Sequence, residues 1–555
     1  MRGYPRLSVL GCPGPARPIW ARARPFAAGT HRGTPLHGLA CIIVRRPTGM
    51  PAGSPATTQA AGGQRPLLSG APEWAFVAVV LAGAAMLRFW QLGRQPLWLD
   101  EANTAAWVRS PWRECILADP FHPPLFHGLV KLFVLVFGLS ETTLRVLPAV
   151  FGVLTVFATW FLLKRLLPEA ARAGLLLAAA SPSLVYYSQE ARDYQLFIFL
   201  SVLSTWAFVR FQQTGRGLGL YALLSVSLQY SHWFGAMVLL AHEIVFWTRV
   251  RARCRQWLLA RFLVLAGFLP WALWALTGVL GRIHFLGASR PKYLPLRPAV
   301  SWTCLLLGYG IAVGNFERRS QLLAQYLREE AWVFGPSLLL LGWLLVRGAL
   351  RLLRETLTRE LFAWVLLLPP VLALGVGATG HRYLSFQAPF LVAVIAMGLV
   401  GLAARARLLS ALGCTVVFSF ALLAYYASPG SLFGYRFRFA KESWPEAAQF
   451  VRSIGPDTIV LIPDYNSFAF NWYWRPGPGR KVVGVPEGGA IPELGRVRRV
   501  AVVLRPADEQ QQAVLAHFDA CCRRVESRLF PAQAGIQVYI YDAVLPSPGG
   551  DIQHP

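Results

Sequence analysis

An acidic pair, Asp100-Glu101, directly follows Leu97-Trp98-Leu99. A tryptophan at a membrane surface fixes the depth of its loop. A carboxylate beside it is partly desolvated, which raises its proton affinity and suits it to act as a general base. Taken alone, such a pair is more often a solvated loop end or a helix cap. Adjacent acids are not the separated carboxylates of a hydrolytic glycosidase, so retaining hydrolysis gains no support. His122 stands before Pro123-Pro124 on a stiff corner, where it could meet a phosphate or serve as an ordinary structural donor. Arg145, Arg192 and Arg382 carry forked donors matched to phosphate. Arg145 could also anchor a helix at the interface, and Glu190 or Asp193 could hold the others in structural pairs. His232 and Glu243 are isolated and read as structural.

Placing these groups requires the elements around them. The chain has 555 residues, 55% hydrophobic and only 15% charged, with mean hydropathy +0.43. A soluble enzyme, a disordered regulator and a disulfide scaffold are excluded, because a soluble surface needs far more charge. Apolar runs near the ~20 residues that cross a bilayer predict eleven spans. They lie near Trp74–Trp90, Leu144–Leu163, Ala170–Tyr187, Tyr194–Arg210, Leu218–Tyr230, Trp233–Thr248, Trp257–Leu280, Ala331–Val346, Leu361–Thr379, Leu384–Ala403 and Leu408–Tyr426. The run from Pro123 to Leu139 is shorter and is interrupted by His127 and Lys131, so it reads as a surface helix in the first outer loop. That assignment puts the basic turns at Lys164-Arg165, Arg210-Arg216, Arg249-Arg255, Arg347-Arg359 and Arg405-Arg407 in the cytosol. The amino terminus is then inside, the carboxyl terminus outside, and all the candidate groups open onto one outer cavity. The basic loop Gly281–Glu330 runs against this trend and is also kept outside.

Residues 1–72 hold nine arginines and no acid, and read as a disordered basic tail; translation from Met50 is an alternative start. Residues 73–429 form the transmembrane module. In residues 430–555 helical and strand-like runs alternate, which predicts a small α/β domain outside the membrane. Its elements are expected at Trp444–Ile454, Thr458–Ile462, Phe468–Trp474, Arg499–Leu504, Glu509–Cys521 and Ile536–Tyr541. Asp464-Tyr465-Asn466 could touch an acceptor or cap a turn. The fold class is therefore membrane all-α with about eleven transmembrane helices, a juxtamembrane helix and an extracytoplasmic α/β domain.

The eight cysteines show no metal spacing, and no nucleotide-binding motif occurs. A nucleotide-activated donor has no docking place here, whereas a donor carried by a membrane lipid needs none. Taken in order, Leu97-Trp98-Leu99-Asp100-Glu101, His122-Pro123-Pro124-Leu125, Leu144-Arg145-Val146-Leu147-Pro148, Tyr187-Ser188-Gln189-Glu190-Ala191-Arg192-Asp193-Tyr194 and Arg382-Tyr383 resemble the bacterial polytopic glycosyltransferases of the C-type fold. These are similar to protein O-mannosyltransferases and aminoarabinose transferases. The resemblance implies that Asp100 is the catalytic base with Glu101 as its neighbour. It implies that His122, Arg145, Arg192 and Arg382 bind the donor phosphate, and that Glu190, Tyr194 and Tyr383 line the substrate cavity. His122 stands where the aminoarabinose transferases carry a lysine, which places the chain nearer the mannosyltransferase-like branch. The expected activity is inverting transfer of a hexosyl or pentosyl group from a polyprenyl-phosphate donor to a glycan, lipid or protein acceptor. It would take place at the periplasmic or extracellular face of a bacterial plasma membrane. No cofactor or metal is required, although a divalent cation on Asp100 or Glu101 is compatible, and no nucleic acid is involved. The alternative is a multi-pass transporter or lipid flippase; the absence of an inverted repeat and of mid-span acids counts against it.

Overall fold

The computed structural model describes residues 71–543, apart from 118, 250–252, 281–296, 309–319, 377–380, 428–429, 433–434, 438–440, 476–479, 487–496, 506–508 and 531–534. The expected basic tail and most of the Gly281–Glu330 loop lie outside these residues. Sixteen helices come first among the described residues: α1 (Ala71–Phe89), α2 (Leu99–Arg109), α3 (Trp112–Ile116), α4 (Leu125–Phe137), α5 (Glu141–Leu166), α6 (Ala171–Ala180), α7 (Pro182–Ser188) and α8 (Tyr194–Thr214), followed by α9 (Leu218–Ser231), α10 (Gly235–Arg249), α11 (Cys254–Leu280), α12 (Arg297–Leu307), α13 (Ser320–Leu352), α14 (Thr356–Val376), α15 (Ala388–Leu399) and α16 (Ala404–Tyr426).

All eleven segments expected to span are helical, but their lengths differ. Among the described residues, seven helices are long and apolar enough to cross a membrane: α1, α5, α8, α11, α13, α14 and α16. The other four expected spans are shorter, at α6 with α7, α9, α10 and α15. Hydropathy measures apolar run length, and it passes straight over Ser181-Pro182, where proline bars a continuous helix and separates α6 from α7. Apolar side chains such as Phe262, Leu265, Leu339, Val346, Val371 and Val416 stand exposed along the long helices, as they would against lipid. The chain is a multi-pass membrane protein.

Charge sorts the two ends of the bundle. Lys164 pairs with Glu73 at 2.7 Å, Arg165 donates to Gln213 at 2.7 Å, and Arg249 donates to Glu360 at 2.6 Å. Arg253 meets the carbonyls of Phe211 and Gln212, and Arg347 that of Gly398. These are the basic turns expected on the cytosolic side. Nearby, Gly348 and Gly398 bring α13 and α15 into backbone contact, since a β-carbon on either would collide with a carbonyl of the other helix.

The opposite end carries the candidate chemistry. Helix α4 has 13 residues, about 20 Å of rise, less than the ~30 Å of hydrocarbon. It buries Phe126, His127, Val130 and Lys131 and exposes Leu132, Leu135, Val136 and Phe137. Lys131 donates to the carbonyls of Val108 and Ser110 at the end of α2, so it closes a helix terminus. The apolar stretch at Ala299–Gly314 begins as α12, which docks through Ser183 to the Leu305 carbonyl and through Trp302 to Gln387.

The C-terminal part pairs β1 (Gly430–Leu432) with β2 (Tyr435–Phe437) in a short ribbon. It then builds α17 (Trp444–Ile454), β3 (Thr458–Ile462), α18 (Ser467–Tyr473), β4 (Lys481–Gly484), β5 (Arg499–Leu504), α19 (Glu509–Cys521), β6 (Cys522–Phe530) and β7 (Ile536–Ala543). The sheet order is β4-β3-β5-β7-β6, with β3 parallel to β4 and β5, and β7 antiparallel to β5 and β6. Asp464–Asn466 forms a turn in which Asn466 donates to the Ile462 carbonyl. Strand β6 was not expected, because its charged residues are exposed almost throughout and leave no alternating apolar face.

The α6–α7 break frees carbonyls in an apolar setting. Arg88 of α1, fully buried, donates to Ala178 and Ala179 at 3.2 and 3.0 Å and to Ala84 at 3.1 Å. Arg88→Met leaves the Ala178 and Ala179 carbonyls without this donor and should cost about 2–4 kcal/mol, read as a lowered thermal midpoint in detergent.

Candidate active site

The site starts from a helix cap. Ser140 accepts the Thr143 amide and opens α5, which sets Arg145 on that helix's first turns. The loop between α7 and α8 is fixed by Gln189, which donates to the carbonyls of Arg88 and Trp90 at 3.0 and 2.7 Å and accepts from Tyr425 at 3.0 Å. Between these two supports lies Glu101 of α2, wholly excluded from solvent.

Glu101 Oε1 accepts from Arg145 Nε at 2.8 Å, from the Ala191 amide at 2.8 Å and from Lys441 Nζ at 3.0 Å. Its Oε2 accepts from Arg145 Nη2 at 2.7 Å. Burial by itself would raise its pKa. The charges of Arg145 and Lys441 and the bonds from Arg145 and Ala191 outweigh burial and hold it at about 2. Arg145 also donates to the carbonyls of Leu92, Gln95 and Pro96 at 3.1, 2.7 and 3.1 Å. A guanidinium has five N–H groups, and these contacts together with the two to Glu101 use them all. Arg145 therefore has no donor to offer the phosphate it was expected to bind. Glu101, expected as a catalytic residue beside Asp100, likewise has both oxygens engaged inside the protein and is held as a structural anion.

Asp100, next in sequence, is placed differently. It is partly exposed, and its Oδ2 accepts from Arg382 at 3.0 Å across 282 positions of chain. Arg382 lies within 6.0 Å of the Trp98 ring and 5.4 Å of the Tyr383 ring, and Tyr383 stacks on Phe234. Arg192 is buried, donates to the Asp100 carbonyl at 3.3 Å and sits 5.9 Å from the Tyr194 ring. Burial works against its charge; Asp100 and Asp193 overcome that and raise its pKa.

His122 bonds Arg192 through Nε2 and Asp119 Oδ2 through Nδ1 at 3.1 Å. Guanidinium only donates, so Nε2 accepts and Nδ1 donates to Asp119. In this arrangement His122 steadies Arg192 and is not the phosphate-facing cation that was expected. The structure thus brings Asp100, Arg382, Arg192, Tyr194, Tyr383 and His122 to one end of the bundle, with Glu101 and Arg145 buried in its wall.

Three groups were missed as site residues. Asp193, 1% exposed, has no hydrogen-bond partner on either carboxylate oxygen. Burial tends to raise its pKa, but His232, Arg192, His122 and His127 prevail and lower it. His232, set aside as isolated, is brought beside it and stacks on Phe197. Lys441 lies 340 residues from Glu101 in sequence. Burial and Arg145 depress its pKa against Glu101 and Glu190. Glu190, expected to line the cavity, is buried in the same cluster, where burial, Glu101 and Asp100 raise its pKa against Lys441 and Arg192. Glu243 is engaged by Trp247, Trp257 and Arg261, as a structural group. Among the described residues, no group of three or more His, Cys, Asp or Glu is arranged to hold a metal ion.

Residues 121–274 match the family model described as dolichyl-phosphate-mannose-protein mannosyltransferase. The match bears out the resemblance read from the motif order. No curated protein matches the chain. Among solved structures, ArnT from Cupriavidus metallidurans in the apo state is similar with a TM-score of 0.49 at 14% identity, covering 84% of this chain and 98% of that one. The archaeal oligosaccharyltransferase AglB from Archaeoglobus fulgidus gives 0.47 at 13% identity over 78% of this chain and 69% of its own. The Saccharomyces cerevisiae Pmt1-Pmt2 complex gives 0.31 at 18% identity over 39% and 34%.

Arg145→Met strands Glu101 in a dry site with one cation instead of two. It should destabilise the fold by about 3–5 kcal/mol, seen as a lowered unfolding midpoint in detergent. An unchanged midpoint would mean that this buried pair is not holding the loops.

Proposed function

We propose that the protein is an integral membrane glycosyltransferase that moves a sugar from a polyprenyl-phosphate donor to an acceptor hydroxyl on the outer face. The observation that carries this reading is the Asp100–Arg382 pair. It places a partly exposed carboxylate beside a guanidinium, at the rim of an otherwise buried polar cluster. The family match over residues 121–274 supports the lipid-phosphate chemistry.

Asp100 takes the proton of the acceptor hydroxyl as that oxygen attacks the anomeric carbon. A new carbon–oxygen bond forms, the bond from that carbon to the phosphate oxygen breaks, and the lipid phosphate leaves with the electron pair from the opposite face. The configuration inverts, and the proton passes from Asp100 to water. Arg382 and Arg192 stabilise the charge gathering on the leaving phosphate, an effect worth several kcal/mol in a water-poor cavity. Tyr194 and Tyr383 present ring surfaces to the sugar, and His122 holds Arg192 in place through Asp119. The reaction needs no cofactor. Of the acidic pair, Asp100 is the member with access to a divalent ion, should one take part.

In this reading the chain crosses eleven times, four of them on short helices, and this site and the C-terminal domain lie beyond the plasma membrane of a bacterium. Cys521 is exposed in that domain. A membrane-impermeant maleimide should label it in intact spheroplasts of cells made to express the protein. The same reagent should leave an Arg407→Cys variant with both Cys521 and Cys522 replaced by serine unlabelled. The reverse pattern would put the site in the cytosol.

In proteoliposomes supplied with polyprenyl-phosphate sugars, Asp100→Asn should lower the transfer rate by roughly 10²–10⁴-fold with its fold intact. Transfer at the wild-type rate would remove Asp100 as the base. Lipid movement without sugar transfer in the wild type would favour a flippase.

A further inference from the structure

The chain leaves its last long helix at Tyr426 and returns to the site at Lys441-Glu442. Both side chains are buried. Two adjacent buried charges are costly unless each is fully engaged, and each of these is engaged on the acid-bearing loop. Lys441 Nζ meets Glu101 Oε1 at 3.0 Å and the Gln189 carbonyl at 3.1 Å, 5.8 Å from the Tyr186 ring. Glu442 accepts from the Leu99 amide at 2.9 Å and the Trp444 indole at 2.5 Å, and pairs with Arg505, just beyond β5, at 2.9 Å. From α18, the Tyr473 hydroxyl accepts the Leu97 amide at 2.5 Å and donates to Glu141 at 2.6 Å.

Residues 97, 99 and 101 are thus each bonded to the C-terminal part, on a spacing of two. The residues between them, Trp98 and Asp100, are the ones that meet Arg382. A carboxylate that must lie within hydrogen-bond reach of an acceptor hydroxyl loses rate steeply if its segment drifts by an ångström. The membrane module grips this segment through Arg145 and the Ala191 amide at Glu101 and through Arg192 and Arg382 at Asp100.

We propose that the C-terminal domain is a working part of the transferase site, and that Lys441 is a positioning residue that fixes Glu101 and thereby aims Asp100. The inference rests on the glycosyl-transfer reading. Lys441 touches no substrate. It joins Glu101 to the loop carrying Arg192 by bonding the Gln189 carbonyl, so one ammonium sets the spacing between the base and a phosphate-facing cation.

The test uses the full chain in proteoliposomes with a polyprenyl-phosphate sugar donor, comparing wild type, Lys441→Met, Lys441→Arg, Glu101→Gln and the double variant Glu101→Gln/Lys441→Met. Lys441→Met should lower kcat by at least about tenfold with donor KM within about threefold, and Lys441→Arg should recover part of the loss. If Lys441 acts through Glu101, the double variant is no slower than the slower single variant. Lys441→Met at the wild-type rate, a loss confined to KM, or single effects that multiply in the double variant would each overturn the proposal. Should Lys441→Met fail to fold, Lys441→Gln replaces it under the same criteria. A wild type inactive with every such donor would remove the transfer reading instead. Hydrogen exchange then decides the positioning role: the amides of Leu99 and Ala191 should exchange at least about tenfold faster in the variant, and unchanged exchange overturns it.

Discussion

A carboxylate sealed from water must be surrounded by donors or not exist as an anion, and Glu101 meets that demand with partners from three separate stretches of chain. Arg145 comes from α5, the Ala191 amide from the loop before α8, Lys441 from the segment entering the C-terminal domain, and Glu101 itself from α2. The low dielectric that makes such a charge expensive also makes each of these bonds strong. The loops at this end of the bundle are tied together at this one point, and the other candidate site residues are arranged around it.

From that hub the division of labour follows. Residues whose donors and acceptors are consumed inside the protein hold geometry, as Arg145 and Glu101 do. Residues left with an open side are the ones the proposed reaction uses, and Asp100 with Arg382 occupies that position. His122 and Asp119 lie between the two classes, because Asp119 holds His122 and His122 in turn bonds Arg192, which borders both. Neighbours in sequence with the same functional group, Asp100 and Glu101, are thereby given opposite tasks.

Much of the fold was legible in advance. Apolar run length marked eleven helical segments, the asymmetry of basic residues sorted their ends, and alternating patterns located most of the C-terminal elements. Errors arose where a local device overrides average hydropathy. The Ser181-Pro182 break shortens one expected span, and Arg88 of another helix closes the broken end. Strand β6 escaped notice because it is held by pairing to β7 and not by a buried face of its own. Of the candidate site, the motif order assembled Asp100, Arg192, Arg382, Tyr194 and Tyr383 at one end, but it could not distinguish a guanidinium facing a ligand from one already filled. Lys441 gave no signal, since a lone lysine in a charged stretch after the last helix looks like any solvated residue.

The sequence by itself determined that the chain lives in a bilayer and which residue types collect at each end of the bundle. These properties depend on composition and local spacing, and water and lipid read them directly. Only the tertiary structure decided which of two adjacent acids is buried, which arginine is spent on carbonyls, and which lysine reaches the hub from 340 positions away. Burial and hydrogen-bond saturation are set by contacts between distant segments, and no local pattern encodes them.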